Sequence, residues 1–431
     1  MLAYLGFFTI LVFLILIFSR KMSVITALVM VPLMTGLVAG FSVRELSDMM
    51  LAGIKQVAPT GILLIFAILY FAVMLDAGLF DPVISRIVRQ VKGDPLKVIL
   101  GTAVLTMLVH LDGDGTATFM IVLSAFLPIY KELKINRLVL AGIVALGVGP
   151  LHLVPWSGTS ARAITVLNSD AVHIFNPNIP SILAGITWVI LVAYIFGKRE
   201  RARLGIVPLN YDLKTNLNEE QRRLRRPDRI LINGLMTVLL ILTLMSGKVA
   251  APVLFTVAGL LALWINYPKL SDQQKVLKSH GANIFMVSSL IFAAGIFSGI
   301  LTGSKMIDAM AGSLVAFLPA EYTRLLPLLT ALTSMPASLV FTPDAYYFGV
   351  VPVLSAAVEQ YQMDPLEIGR AALLGQMTVG FPLSPLTAST FLLTGLCEVD
   401  LADHQKFIFK WAFGTTVIMT LMALLTGSIH L

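Results

Sequence analysis

The sequence predicts an all-α polytopic membrane protein made of two inverted-topology repeats, each with five spans and one re-entrant hairpin. Three observations lead there. Hydrophobic residues fill 57% of the 431 positions and charged residues only 13%, with mean hydropathy +0.87. Soluble domains carry about 25% charge, so this chain has too little polar surface to dissolve. Apolar runs recur along it, many close to the ~20 residues that cross a bilayer as helix. Short motifs also return in the same order: "LSD" at 46–48 and 270–272, "GLFD" and "KMID" ending at Asp81 and Asp308, and "VPWSGTSA" and "FPLSPLTA" around Pro155 and Pro382. Their offsets are 224, 227 and 227 residues.

The first apolar run, 2–18, has no basic stretch before it and Arg20-Lys21 after it. That argues against a cleaved signal peptide and predicts a first span whose N-terminus lies outside. Spans follow at 22–40 and 58–75, then an amphipathic stretch, 79–93. The run 95–130 is broken by "DGDGT". Its second arm, 119–130, would rise about 18 Å as helix, short of a hydrocarbon core about 30 Å thick, so it reads as a re-entrant hairpin. A long span, 138–172, is interrupted at "VPWSGTS", and 179–197 closes the first repeat, 1–197. Residues 198–229 form a polar linker with ten Lys/Arg against five Asp/Glu. The second repeat, 230–431, restarts with spans at 230–246, 250–266 and 282–302 and an amphipathic piece at 304–318. A second broken run at 323–357 has its tip near "FTPDAYY", and a broken span, 368–397, precedes the last span, 406–428.

Charge placement supports this path. Cytoplasmic segments are rich in Lys and Arg. The segments predicted inside hold Arg20, Lys21, four basics in 86–97, three in 131–137, ten in 198–229, three in 269–278, Lys406 and Lys410, 24 in all; those outside hold six. The same rule accounts for the net charge of +7 without a nucleic-acid partner. Because five spans per repeat is an odd number, the second repeat lies inverted relative to the first, and both termini lie outside. Inverted repeats with discontinuous helices are a transporter signature, with the site near the midplane. The lone Cys397 excludes an intramolecular disulfide.

The breaks carry the chemistry. Asp112, Asp114, Arg162 and Asp344 all fall in them. Leaving four ionised groups in lipid would cost roughly 10 kcal/mol or more, so they should face a polar cavity or each other. Arg162 follows "WSGTS" at the start of a half-helix. Its planar fork suits a carboxylate, and free N–H groups at a helix start favour anions; a structural pair between Arg162 and a hairpin aspartate is the competing role. Asp112 and Asp114 suit a hard cation, a coupling proton, or both. Thr116, Thr118, Ser157, Thr159, Ser160, Thr342, Ser384, Thr387 and Ser389 offer further oxygens, although such hydroxyls often only cap helix ends. His110 and His152, beside the first tip and break, could relay a proton or simply pack. His173, His280, His404 and His430 fall at predicted loops or the terminus. The tip glycines make no phosphate loop, lacking the following Lys and preceding strand.

The stretches "YFAVMLDAGLFDPVI", "VKGDPLKV", "LDGDGTATFM", "PWSGTSARA" and "FPLSPLTASTFLL" resemble the metal–citrate:proton symporter (CitMHS) family of bacteria, within the ion transporter superfamily. The resemblance spans nearly the whole chain. It implies uptake of citrate complexed with a divalent metal, magnesium-like or calcium-like, driven by protons across the bacterial inner membrane. It also implies a scaffold and a transport domain, an elevator-like motion and a homodimer. The metal travels as part of the substrate, and no other cofactor is implied. Sodium-coupled relatives carry Ser-Asn-Thr in both tips, where this chain has "SGTS" and "SPLT"; the departure fits proton coupling. The residue types then divide by task. Thr116, Thr118, Ser157, Gly158, Thr159, Ser160, Arg162, Ser384, Thr387 and Ser389 are expected at citrate, Asp112, Asp114 and Asp344 at the metal, and Asp112, Asp114 and His152 on the proton. The rival readings are a carrier of another organic anion, such as a free dicarboxylate or gluconate, a membrane-embedded aspartate enzyme, and a passive channel. Both aspartates sit on one loop, which disfavours the enzyme.

Overall fold

The computed structural model describes residues 1–19, 21–91, 93–207, 219–317, 320–376 and 380–430. Arg20, Lys92, residues 208–218 of the linker and 377–379 of the second broken span lie outside these. No strand occurs among the described residues, and helix dominates. The first half runs through α1 (Leu2–Phe18), α2 (Val24–Val38), α3 (Val43–Asp76), α4 (Asp81–Val91), α5 (Pro95–Val109), α6 (Gly115–Glu132), α7 (Arg137–Leu151), α8 (Gly158–Val166), α9 (Ala171–Phe175) and α10 (Ile179–Leu204). A short α11 (Glu219–Leu224) follows. The second half has α12 (Ile230–Met245), α13 (Ala251–Asn266), α14 (Leu270–Gly303), α15 (Met306–Phe317), α16 (Ala320–Thr323), α17 (Leu326–Ala337), α18 (Pro343–Ala345), α19 (Val351–Gln360), α20 (Leu366–Leu373), α21 (Ala388–Cys397) and α22 (Leu401–Leu425). By length and composition, six helical stretches among the described residues can cross a bilayer: Val43–Asp76, Pro95–Asp112, Ala171–Leu204, Arg222–Met245, Leu270–Gly303 and Leu401–Leu425.

Two helices exceed the sequence expectation. The spans expected at 58–75 and 282–302 are the apolar parts of α3 and α14, each 34 residues and so about 51 Å long. Charges at Arg44, Glu45, Asp48 and Lys55 hide the first turns of α3 from a hydropathy window. A capping box nonetheless starts that helix, with Ser42 accepting from the Glu45 N–H and Glu45 from the Ser42 N–H. The two long helices start 227 positions apart, the spacing of the motifs. They pack against each other along their length. At one crossing the contact is backbone on backbone: a Cβ on Gly53 would stand 2.0 Å from the Gly295 carbonyl oxygen, and one on Gly299 2.4 Å from that of Met49. Only glycine permits that approach. Likewise α10 runs through the predicted boundary at 197 to Leu204, because its basic last turns remain good helix formers.

The first broken run is a helical hairpin. Thr102 on α5 meets Tyr130 on α6 at 3.2 Å, and His110 meets Thr118 at 3.0 Å, so the arms run antiparallel and end on one side. The second arm is longer than its sequence reading, 18 residues rather than 12, because Asp114 caps α6 and starts it at Gly115. At about 27 Å it is no longer too short to cross, so arm length does not establish re-entry. The antiparallel return is what brings the chain back to its side of entry.

Candidate functional site

Three half-helices begin at one place. The turn His110–Asp112 ends α5, Gly113 reverses the chain at φ 78°, and Asp114 starts α6, its Oδ1 accepting from the Thr116 N–H at 2.8 Å. The glycine also allows close approach, since a Cβ there would stand 3.3 Å from the Ser157 Cα. Across that contact α7 ends at His152, and Ser157 caps α8 by accepting from the Ser160 N–H. In the second half, α21 begins at Ala388. Gly115, Gly158 and Ser389, each in the first turn of its helix, line one cavity of about 390 Å³ together with Asp112, Asp114, His152, Trp156 and Phe381. Asp114 and Ser157 each take one N–H of their helix starts; the remaining first-turn N–H groups and the positive end of each dipole favour an anion.

The opposite wall comes from α3 and α14: Leu64, Ile68, Phe71, Ala72, Leu75 and Asp76 from the first, His280, Asn283 and Val287 from the second. Two ring stacks line the cavity, and one of them joins the walls. Trp156 lies on Phe71 at 5.2 Å and donates its Nε1–H to the Leu111 carbonyl at 2.8 Å. His152 lies on Phe381 at 5.0 Å.

Of the residues expected at the site, Asp112, Asp114, His152, Gly158 and Ser389 line the cavity. Asp112 uses Oδ1 to accept from the Asp114 N–H, while Oδ2 is buried without a hydrogen bond among the described residues. His152 Nδ1 stands 2.7 Å from His110 Nε2, and His110 Nδ1 contacts Thr118 Oγ1, a three-member buried chain. Arg162 and Asp344 pair with each other: Nε donates to Oδ1 at 2.7 Å and Nη1 to the Gly158 carbonyl at 2.8 Å, with both side chains 14% exposed. The structure does not bring Asp344 to Asp112 and Asp114. No group of three or more His, Cys, Asp or Glu placed to hold an ion occurs among the described residues.

Most of the hydroxyls serve the backbone. Thr118 donates to the Asp114 carbonyl, Ser157 to that of His152, Ser160 to that of Leu153, Ser384 to that of Ser338 and Thr387 to that of Phe381. The main-chain N–H of Thr116 meets Asp114, and the Thr159 hydroxyl is buried without a partner among the described residues. Three histidines are not where sequence put them: His173 lies in the short α9, His280 on α14, 2.8 Å from Asp76, and His404 on α22, its ring beside the Pro382 carbonyl. Loops were expected there because charged and polar neighbours interrupt hydropathy, whereas helix formation does not need unbroken apolarity. The site residues that sequence missed are Trp156, Phe71, Phe381, Asp76, His280 and Asn283. Asp76 lies inside the stretch "YFAVMLDAGLF", and its i−4 and i−8 neighbours Ala72 and Ile68 share the cavity face, a signal that the helical period could have carried.

The sequence model of the CitMHS family, described as a citrate transporter, matches residues 12–375. This chain belongs to the CitMHS family. Bacillus subtilis has a protein named citrate transporter that is 50% identical over all of both chains, and one named Mg(2+)/citrate complex secondary transporter that is 47% identical, again over all of both. Among solved structures, the YdaH transporter of Alcanivorax borkumensis aligns with TM-score 0.60 at 15% identity, covering 89% of each chain. The MtrF transporter of Neisseria gonorrhoeae aligns with TM-score 0.53 at 13% identity, covering 88% of this chain and 83% of its own. These two likenesses concern the fold. A CitMHS member is a transporter rather than an enzyme, and the aspartate-enzyme reading ends here.

Proposed function

We propose that this CitMHS member takes up citrate complexed with a divalent metal ion, coupled to protons, by an elevator-like alternating-access movement. One observation carries the reading: a single cavity joins three helix N-termini to a buried carboxylate with an unpartnered oxygen, Asp112 Oδ2. A metal–citrate complex has both complementary parts, carboxylates for the N–H groups and a hard cation for the carboxylate. Citrate supplies most of the metal's oxygens, so the protein needs only a few, from Asp112 and Asp114. The family relative named for a Mg(2+)/citrate complex supports the same chemistry.

In this reading Arg162 takes a citrate carboxylate by exchanging Asp344 for it, and Gly158, Ser389 and the Thr159 hydroxyl complete the anion's surroundings. Protons enter through Asp112, Asp114 or the His152–His110 pair. The walls divide the labour: α3 and α14 form a fixed, mostly apolar scaffold face, and the hairpins and broken helices move against it. The recurrence of 34-residue helices at an offset of 227 supports two inverted repeats. The basic bias supports a multi-pass protein of the bacterial inner membrane with both termini outside, and we propose a homodimer. Radiolabelled citrate uptake into proteoliposomes tests the whole. Uptake should require a divalent ion and an inward proton gradient; sodium-driven uptake would remove the proton claim.

A further inference from the structure

The scaffold wall of the cavity is apolar along α3 from Leu64 to Leu75, and at Val287 on α14. Its polarity is gathered at one end, in Asp76, His280 and Asn283. None of these is required to cap a helix or close a turn on that wall. His280 and Asn283 stand three residues apart on α14, one face of the helix, with Val287 a turn deeper.

Asp76 is chemically conspicuous. It is the last residue of α3, where the helix dipole is negative and a carboxylate is disfavoured. Two neighbours offset this. His280 Nε2 lies 2.8 Å from Asp76 Oδ2. Arg225, from the end of the linker, donates through Nη1 to the carbonyls of Leu75 at 2.7 Å and Asp76 at 3.0 Å, and ion-pairs with Asp81. The Asp76 and His280 side chains remain 23% and 27% exposed, and among the described residues no hydrogen bond holds the Asn283 side chain, which lines the cavity. Arg225 takes the carbonyls of the helix end, and the corner still combines a carboxylate, an imidazole and an amide oxygen, donor types that attract a divalent cation. Across the cavity, the three helix N-termini attract the anion.

We propose that Asp76, His280 and Asn283 form a cation-reading subsite on the scaffold wall, which recognises the divalent metal of the transported complex through Asp76 and the Asn283 amide oxygen. This rests on the metal–citrate reading above. The metal then passes between two walls: Asp112 and Asp114 hold it beside the citrate carboxylates at Gly115, Gly158 and Ser389, and Asp76 and Asn283 meet it as the complex nears the ends of α3 and α14. His280 holds Asp76 when the corner is empty and releases it to the incoming cation. The subsite supplies a reason for the carboxylate at the wrong end of a helix.

The test is calorimetric binding of citrate alone, magnesium–citrate and calcium–citrate to the full chain in detergent. It compares wild type with Asp76→Asn and Asn283→Asp. Asp76→Asn should weaken binding of the metal complexes about tenfold, the scale of disturbing one metal-directed group, and leave free citrate unchanged. Asn283→Asp adds a carboxylate and should tighten the metal complexes relative to free citrate by about fivefold or more, so the idea stays testable where Asp76→Asn does not fold. Equal loss for complexed and free citrate in Asp76→Asn marks a structural role and overturns the subsite, as does an unchanged ratio in Asn283→Asp. If wild type itself prefers free citrate, the metal–citrate reading falls and takes the subsite with it. If wild type prefers the complex and neither variant alters the ratio, the subsite alone falls.

Discussion

Asp344→Asn separates a purely structural arginine from one that waits for substrate. The Arg162–Asp344 contact is 2.7 Å, with a second bond from Arg162 to the Gly158 carbonyl. Two unit charges about 4 Å apart attract by about 4 kcal/mol at an effective dielectric of about 20. Part of this is already spent on desolvation, since both side chains are 14% exposed. The asparagine oxygen still accepts from Arg162 Nε, so the hydrogen bond survives in neutral form. The net loss is then about 1–3 kcal/mol of stability, the scale of a charge-assisted bond made neutral. The same weakening frees Arg162 for a citrate carboxylate, and about 1.4 kcal/mol corresponds to tenfold in affinity. Citrate titration by calorimetry, beside thermal denaturation in detergent, reads both effects. The account predicts lower stability with about tenfold tighter citrate binding. Lower stability with unchanged citrate affinity would refute the exchange and leave the pair structural.

Other predictions follow from single contacts. Arg162→Lys replaces a fork that serves Asp344 and Gly158 together with a single point charge; citrate affinity should fall, and Asp344→Asn should not restore it. Gly53→Ala places a methyl 2.0 Å from the Gly295 carbonyl oxygen and should destabilise the α3–α14 crossing by about 3 kcal/mol or more. Gly281→Ala on the same α14, where nothing stands within 4 Å, should instead stabilise by about 0.5–1 kcal/mol; thermal melting of both variants compares them. Trp156→Phe keeps the stack on Phe71 but loses the bond to the Leu111 carbonyl, costing about 1 kcal/mol in the same assay. Glu398, in the turn before α22, is held below the usual carboxylate range, first by its hydrogen bond from Lys131 at 2.6 Å and then by Arg137. A lowered carboxylate contributes stability above its unfolded value, near 4.3, and loses it as pH falls through the folded value. Glu398→Gln should therefore flatten the acid limb of a stability–pH curve and change little at neutrality.

The sequence made the helices legible where apolarity was unbroken, as in α1, α2 and α13. It also made the breaks legible, because Gly113 and the Asp114 cap have no other reading in an apolar run. The long amphipathic starts of α3 and α14 were not legible. Their charges lower hydropathy, and packing shows why helix continues there: the start of α3 crosses the end of α14 at Gly53, Gly295 and Gly299, and the start of α14 meets the end of α3 at His280 and Asp76. Of the residues that chemistry singled out, Asp112, Asp114, His152, Gly158 and Ser389 line one cavity, each beside a helix end that the sequence itself interrupts. For the hydroxyls the sequence left both roles open, and Thr118, Ser157 and Ser160 bond backbone carbonyls of their own half. It also passed over the wall that α3 and α14 form. Asp76 and His280 are 204 positions apart, and only the packing of α3 on α14 joins them.

The central claim is that citrate travels with its metal. Proteoliposomes loaded with unlabelled buffer, given labelled citrate and a labelled divalent ion together, measure both movements at once. The account predicts equal initial uptake of citrate and ion, both abolished by a chelator and both raised by an inward proton gradient. Citrate entering at full rate while the ion stays outside would contradict it.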